Sequence, residues 1–202
     1  MRHYIALVWR VIDQTERRVL RAETVPVADK LFSLFEPHSD LIIKGGRGPE
    51  FGHKLFLAGG KSGMVTDVRD LDGNPADTTL VEDWLDRHVE QYGEPPDRTA
   101  FDGGFASQAN LALLKEAGVR DAVFHKKRGL EIADMARSTW IYRTTRKFRA
   151  GIESTISFLK RCFGWTRCGW RGLDSFRAYV RAAVVTANLF VFARHRLAEA
   201  ED

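Results

Sequence analysis

The chain has 202 residues, 44% hydrophobic and 29% charged, which suits one sizeable globular domain and excludes wholesale disorder or a fibrous repeat. Its two cysteines, Cys162 and Cys168, form no disulfide framework and at most half of a zinc site, so both are expected to pack as small apolar residues. The net charge of +4 is uneven: Arg120 to Arg171 carries thirteen Lys or Arg against four acids, a local balance of +9 that marks either a polyanion-binding surface or a solvated basic face.

Residues Arg2 to Arg21 read as an amphipathic helix, with Ile5, Val8, Trp9, Ile12 and Val19 near helical spacing, until Val25-Pro26 interrupts. Residues 1–30 are therefore expected to form an N-terminal helical segment ahead of a domain over 31–202. Leu31 to Lys44 reads as extended and turn-rich, and Gly45-Gly46-Arg47-Gly48-Pro49 as a loop. Two strands follow, Phe51 to Ala58 and Met64 to Asp70, joined as a hairpin by Gly59-Gly60-Lys61-Ser62-Gly63. The Gly60-Lys61-Ser62 run is no phosphate-binding loop, because Leu55 stands where the first glycine is required and a strand follows.

Asn74-Pro75-Ala76-Asp77 opens a helix that ends at Tyr92-Gly93 before Glu94-Pro95-Pro96. A βαβ unit comes next: a strand over Arg98 to Phe101, a turn at Asp102-Gly103-Gly104, Ser107 as N-cap, a helix over Ala109 to Ala117 stopped by Gly118, and a strand over Val119 to Phe124. Thr145 to Phe163 and Leu173 to Leu197 read as long helices separated by a Gly- and Trp-containing loop. The longest apolar stretch, Ala182 to Ala193, is twelve residues broken by Thr186 and Asn188, against the roughly 20 that cross a bilayer. No membrane span and no secretory signal are expected, and a cytoplasmic location is.

Asp102 ends a strand and precedes two glycines and a helix, the position at which α/β sheets build sites and at which glycine lets a metal or phosphate approach the backbone. The same residue would also order its turn by accepting a backbone hydrogen bond. On the helix after Thr145, Arg149 at i−4 and Lys160 at i+7 lie about 40° and 20° from Glu153 around the axis, bordering the apolar face of Ile152, Ile156, Leu159 and Phe163. A carboxylate between two cations stays ionised, as a metal ligand must, although Arg149 and Glu153 also make an ordinary helix-surface ion pair. Lys126, Lys127 and Arg128 follow a strand, and Trp165, Arg167, Trp170 and Arg171 interleave aromatics with cations, a composition that grips phosphates and stacks bases or simply packs its tryptophans. His38, His53, His88, His125 and His195 show no zinc-site spacing.

Thr99-Ala100-Phe101-Asp102-Gly103-Gly104-Phe105-Ala106 and Arg149-Ala150-Gly151-Ile152-Glu153, with Lys160 seven residues on, resemble the second-Asp and Glu regions of bacterial insertion-sequence DDE transposases. Glu36-Pro37-His38-Ser39-Asp40, Phe51-Gly52-His53-Lys54 and His125-Lys126-Lys127-Arg128-Gly129 resemble further stretches of these enzymes, so that the likeness runs from about Lys30 to Leu197. The family's tyrosine-arginine-glutamate-lysine signature is met in part, with Arg146 in the tyrosine position.

The resemblance implies an α/β, ribonuclease H-like mixed sheet with an N-terminal helix and long C-terminal helices, residues 1–30 being part of an insertion. It further implies two Asp and one Glu holding two Mg²⁺ or Mn²⁺ ions for phosphodiester hydrolysis and strand transfer. It carries the second-Asp role to Asp102, the Glu role to Glu153, and DNA-phosphate contacts to Arg149 and Lys160, with Lys126, Lys127 and Arg128 as further phosphate contacts. Double-stranded DNA at transposon ends and target is the implied partner, with a homo-oligomer as the working form and the nucleoid as its place. In full-length relatives the first Asp lies on a central first strand, which is not found here, so a truncated enzyme is expected, with Asp40 as the one acid placed to stand in. A non-catalytic DNA-binding or oligomerising remnant is the alternative, and a stand-alone ribonuclease H-like nuclease a third.

Overall fold

The N-terminal helix forms as its spacing predicts. In a computed structural model that describes residues 2–43 and 48–201, α1 spans Arg2–Thr15 and runs on through a π-helical turn, Glu16–Leu20. Arg10 donates to the carbonyls of Ala28 and Asp29 at 3.0 and 3.1 Å, and Gln14 exchanges two hydrogen bonds with the Leu31 backbone at 2.7 and 3.1 Å. The returning chain is thereby fastened along α1, and Val25 and Leu31 are buried, while the apolar stripe Tyr4, Ile5, Val8, Trp9 and Ile12 stays exposed.

The chain divides into two units, Met1–Phe56 with Val68–Asn74 and Trp165–Thr186, and Leu57–Asp67 with Pro75–Gly164 and Ala187–Asp202. In the first, β1 (Asp40–Ile42) pairs antiparallel with β2 (Glu50–Gly52), Asp40 opposite Gly52. The sequence reading places no strand before Lys44 and one continuous strand from Phe51; the structure instead breaks that strand at His53, between β2 and β3 (Lys54–Gly59). Lys44 of the expected extended stretch and Gly45, Gly46 and Arg47 of the expected glycine loop lie outside the described residues, and Gly48 and Pro49 are irregular.

His53 leaves the ladder because its ring belongs to a side-chain relay. The Glu36 carboxylate lies 2.7 Å from His38 Nε2, and His38 Nδ1 lies 2.7 Å from His53 Nε2. A carboxylate only accepts, so His38 donates from Nε2; with a neutral His38, Nδ1 then accepts and His53 donates from Nε2. The Gly172 N–H donates to Glu36 at 3.0 Å, and Phe176 lies against the His53 ring at a centroid distance of 4.5 Å. Burial first, then the His38 neighbour, pushes the His53 pKa below 6.5, against the opposing pull of Asp40 and Asp70 and with Arg177 reinforcing it. Below the unfolded-state value the unfolded chain binds a proton that folded His53 refuses, so stability falls as pH drops beneath about 6.5. Urea midpoints measured at pH 7.5 and 5.5 should differ less in His53→Gln than in the natural protein.

β3 and β4 (Val65–Leu71) form the expected hairpin, with Gly63 at φ 82° and the Gly60 N–H bonded to Met64 O at 2.9 Å. The backbone N–H and C=O of Val65 are both paired, at 2.8 Å, by the side-chain amide of Asn188, which accounts for a polar residue inside the apolar stretch of the last helix. A 3₁₀ turn (Asp77–Leu80) then leads into α2 (Val81–Tyr92), ended by Gly93 at φ 80°.

The βαβ unit is as read: β5 (Arg98–Phe101) and β6 (Asp121–Phe124) run parallel in register Arg98↔Asp121 to Phe101↔Phe124, linked by α3 (Gln108–Glu116). Ser107 caps α3 by accepting the Asn110 N–H at 3.0 Å, and the Asn110 amide donates to Thr78 O and Phe105 O, which ties the turn after β5 to the entry of α2. Trp84 meets Phe101 edge-on, and Leu114, Val123, Phe124, Leu130 and Met135 complete a buried core.

A short α4 (Ile132–Met135) precedes α5 (Thr139–Cys162), which starts six residues before the Thr145 read from sequence because Ser138 caps it, accepting the Ile141 N–H at 3.2 Å. α5 lies along β5 and β6 and buries Tyr142, Thr145 and Leu159. Cys162 at its end is exposed, contrary to the expected packing role. The last helix, α6 (Leu173–Glu201), is long and apolar enough, by length and composition only, to cross a membrane, where the sequence leads one to expect no span. Val180, Ala183, Val184 and Ala187 of α6 are buried, whereas Val185, Leu189, Phe190, Phe192 and Leu197 are exposed. The architecture is thus mixed α/β, but the described strands make three two-stranded sheets, β1-β2, β3-β4 and β5-β6, and not one continuous mixed sheet.

Candidate functional site

The carboxyl ends of β5 and β6 carry the candidate residues. Phe101 is buried at the end of β5, and the next residue, Asp102, turns out of the sheet with its Oδ1 accepting the Gly103 N–H at 2.7 Å. The expected turn-ordering role of Asp102 is therefore present, and it does not exhaust the side chain. Asp102 Oδ1 also lies 3.2 Å from an Arg149 guanidinium nitrogen, whose other terminal nitrogen donates to Glu153 Oε1 at 2.5 Å. One guanidinium fork thus bridges the two carboxylates and keeps the bonded oxygens within about 8 Å of each other. The cation is the sheltered partner, with its side chain 13% exposed, whereas those of Asp102 and Glu153 are 59% and 61% exposed.

The strand ends add positive charge. The His125 N–H continues the ladder to Phe101 O at 2.9 Å, and Arg146 Nε, in the signature's tyrosine position, donates to His125 Nδ1 at 3.4 Å. Lys126 lays its stem over Gly103: a Cβ built on that buried glycine would fall 2.7 Å from Lys126 Cβ. Asp77 closes the other side of the turn, since a Cβ on Gly104 would meet its carboxylate.

Lys127 and Arg128 are exposed in the turn after β6, Arg128 at φ 45°, and Lys160 is exposed two turns along α5 from Glu153. Asp40 belongs to the first unit, paired opposite Gly52 in β1. Trp170, also of the first unit, is largely exposed beside Tyr179, while Trp165 is partly buried.

The family model described as "Transposase DDE domain" matches residues 10–189 of the chain. The chain belongs to the DDE transposase family. No curated protein and no solved structure matches it. DDE transposases act on DNA and generally use divalent metals.

The donor set of this transposase chain can be tested against such a cation. Mg²⁺ is commonly held by one or two carboxylates, with waters and substrate phosphates completing its shell. Asp102 and Glu153 are solvent-accessible carboxylates that already share one cation, and in donor chemistry they are the oxygen ligands such an ion takes. Among the described residues no group of three or more His, Cys, Asp or Glu is placed to hold a metal, so these residues do not complete the expected two-metal set.

Sequence reading finds Asp102, Arg149 and Glu153. It misses that Arg149 serves both acids, because the Asp102 contact spans 47 positions and helical spacing reveals only the Glu153 half. It also misses the Gly103–Lys126 contact, which depends on the ends of β5 and β6 lying side by side, and the Arg146–His125 contact, which depends on α5 meeting the end of β6.

Proposed function

We infer that this chain carries the DNA-cleaving site of an insertion-sequence transposase, of the kind bacteria harbour, acting on double-stranded DNA at transposon ends and target as a homo-oligomer at the nucleoid. Asp102 and Glu153 are its Mg²⁺ or Mn²⁺ ligands. The observation that carries the reading is the convergence of these two exposed carboxylates, from a strand end and from α5, on one cation. A divalent ion bound there supplies charge neutralisation at the scissile phosphate and acidifies an attacking water or 3′-hydroxyl. Arg149 and Lys160 from α5, and Lys126, Lys127 and Arg128 from the turn after β6, hold neighbouring phosphates and set the DNA backbone across the strand ends. A non-catalytic DNA-binding or oligomerising form is the second reading, favoured by the lack of a third ligand among the described residues.

Nicking of a supercoiled plasmid bearing transposon ends, in Mn²⁺, separates the two. The cleaving form should nick, and Asp102→Asn or Glu153→Gln should abolish nicking while leaving DNA binding within a few-fold. Salt-sensitive binding with no nicking by the natural chain would establish the second reading. In either form, alanine at Lys126, Lys127 and Arg128 together should flatten the dependence of log K on log salt by roughly 0.9 for each phosphate contact removed, measured by fluorescence anisotropy. An unchanged slope would remove these three residues from the interface.

A further inference from the structure

We propose that Arg149 is an internal counter-ion for the Asp102–Glu153 pair, one that an incoming divalent cation displaces, so that metal loading releases the guanidinium toward a DNA phosphate. The inference rests on the metal-site reading above and adds a regulatory step to it. In an ordinary surface ion pair the long basic side chain lies in solvent. Here the order is inverted, with the guanidinium sheltered and both carboxylates open to water. Asp102 Oδ1 pairs with the fork as an ion pair and Glu153 Oε1 accepts a hydrogen bond from it, and Asp102 Oδ1 is further fixed by the Gly103 N–H. Without the fork, two carboxylates brought within about 8 Å repel each other, and the turn after β5 loses an ion pair to α5.

A divalent ion bound by the same two acids does the work of the guanidinium and repels it. Two such cations at contact distance from one carboxylate pair oppose each other strongly even at the high effective dielectric of a protein surface. Arg149 in its bridging position therefore weakens metal binding, and by linkage bound metal weakens the bridge to the same degree. A phosphate is the natural acceptor for a released guanidinium, because its oxygens match the fork bidentately. DNA that draws Arg149 away should in turn tighten metal binding, which keeps a loaded metal scarce until DNA is present.

The test is Mn²⁺ titration of the full chain by calorimetry, with Asp102→Asn defining the site. Arg149→Ala is expected to bind Mn²⁺ at least tenfold more tightly than the natural protein, and Asp102→Asn to remove that binding in both backgrounds. Equal affinity in the natural protein and Arg149→Ala, still dependent on Asp102, would overturn the counter-ion role and leave the metal-site reading standing. No Asp102-dependent binding in either protein would overturn both.

Arg149→Gln guards against a folding failure, since it keeps the stem and some hydrogen bonding but loses the charge. Its melting temperature should lie below that of the natural chain without metal and rise more than the natural chain's on adding Mn²⁺. A smaller or equal rise would count against the proposal. Displacement itself reads as a Mg²⁺-dependent change in the Arg149 side-chain NMR signal, assigned by its absence from Arg149→Gln. A signal unchanged at saturating Mg²⁺ would overturn the displacement step.

Discussion

Asp121→Ala should lower stability by about 3 kcal/mol, and Asp121→Asn by about 2 kcal/mol. The Asp121 side chain has no solvent exposure, at the first position of β6 in the centre of the second unit. It accepts the Arg137 N–H at 3.0 Å and the Arg137 guanidinium at 2.9 Å, and Arg98 Nε lies 3.4 Å away. Burial, the largest single influence, works to raise its pKa, but the side-chain and backbone hydrogen bonds from Arg137 and the charges of Arg137 and Arg98 together outweigh it and hold the carboxyl below its ordinary 3.8. Removing one partner of a buried pair is costly because the other groups lose a bond they cannot replace. The figure sits at the low end of the usual range because half-exposed Arg137 regains water.

Asparagine keeps an oxygen for the Arg137 N–H, hence its smaller loss. Because the folded pKa is depressed, this stabilisation is present above about pH 4 and disappears as pH falls through the folded value. Urea denaturation at pH 7 and pH 3 checks both parts: the gap between natural and variant proteins should be wider at pH 7 than at pH 3. An unshifted midpoint for Asp121→Ala at pH 7 would mean that Arg137 and Arg98 find other partners.

The second unit was legible because its signals are local. Arg98 to Phe101, Ser107, Gly118 and the parallel strand after it each announce themselves within a few residues, and their order admits a βαβ unit directly. The Arg149–Glu153 spacing is likewise a property of a single helix. What the sequence concealed is non-local. β1 has three residues, too few for alternation to show, and is defined by β2 on the far side of a glycine loop. His53 breaks a strand that its neighbours would continue, for a reason that lies at His38 and Phe176. Asn188 interrupts an apolar run because it completes the backbone pairing of Val65, 123 positions away. The first six residues of α5 are hidden by Thr139, Ile141 and Thr144, β-branched residues of modest helix propensity, whereas its start is set by the Ser138 cap.

Alanine at the two glycines after Asp102 should separate a clash at the root of a side chain from a clash at its tip. A Cβ at Gly103 would lie 2.7 and 2.8 Å from Cβ and Cγ of Lys126. Lys126 Cβ is one bond from the main chain, and that main chain is held to β5 by the His125 N–H bond to Phe101 O at 2.9 Å. Relief therefore requires the turn carrying Asp102 to move away from β6, at a cost of about 2 kcal/mol. The shift also pulls Asp102 from the Arg149 fork, so Asp102-dependent Mn²⁺ affinity should fall along with the urea midpoint. A Cβ at Gly104 would overlap Asp77 Oδ2 but lie 3.0 and 3.2 Å from its Cγ and Cβ. Rotation of that short side chain removes most of the overlap, so Gly104→Ala should cost about 1 kcal/mol, chiefly by turning Asp77 away from its present contacts. If both alanines cost the same and leave Mn²⁺ affinity alone, the end of β6 yields freely and the placement of Asp102 does not depend on the Gly103–Lys126 contact.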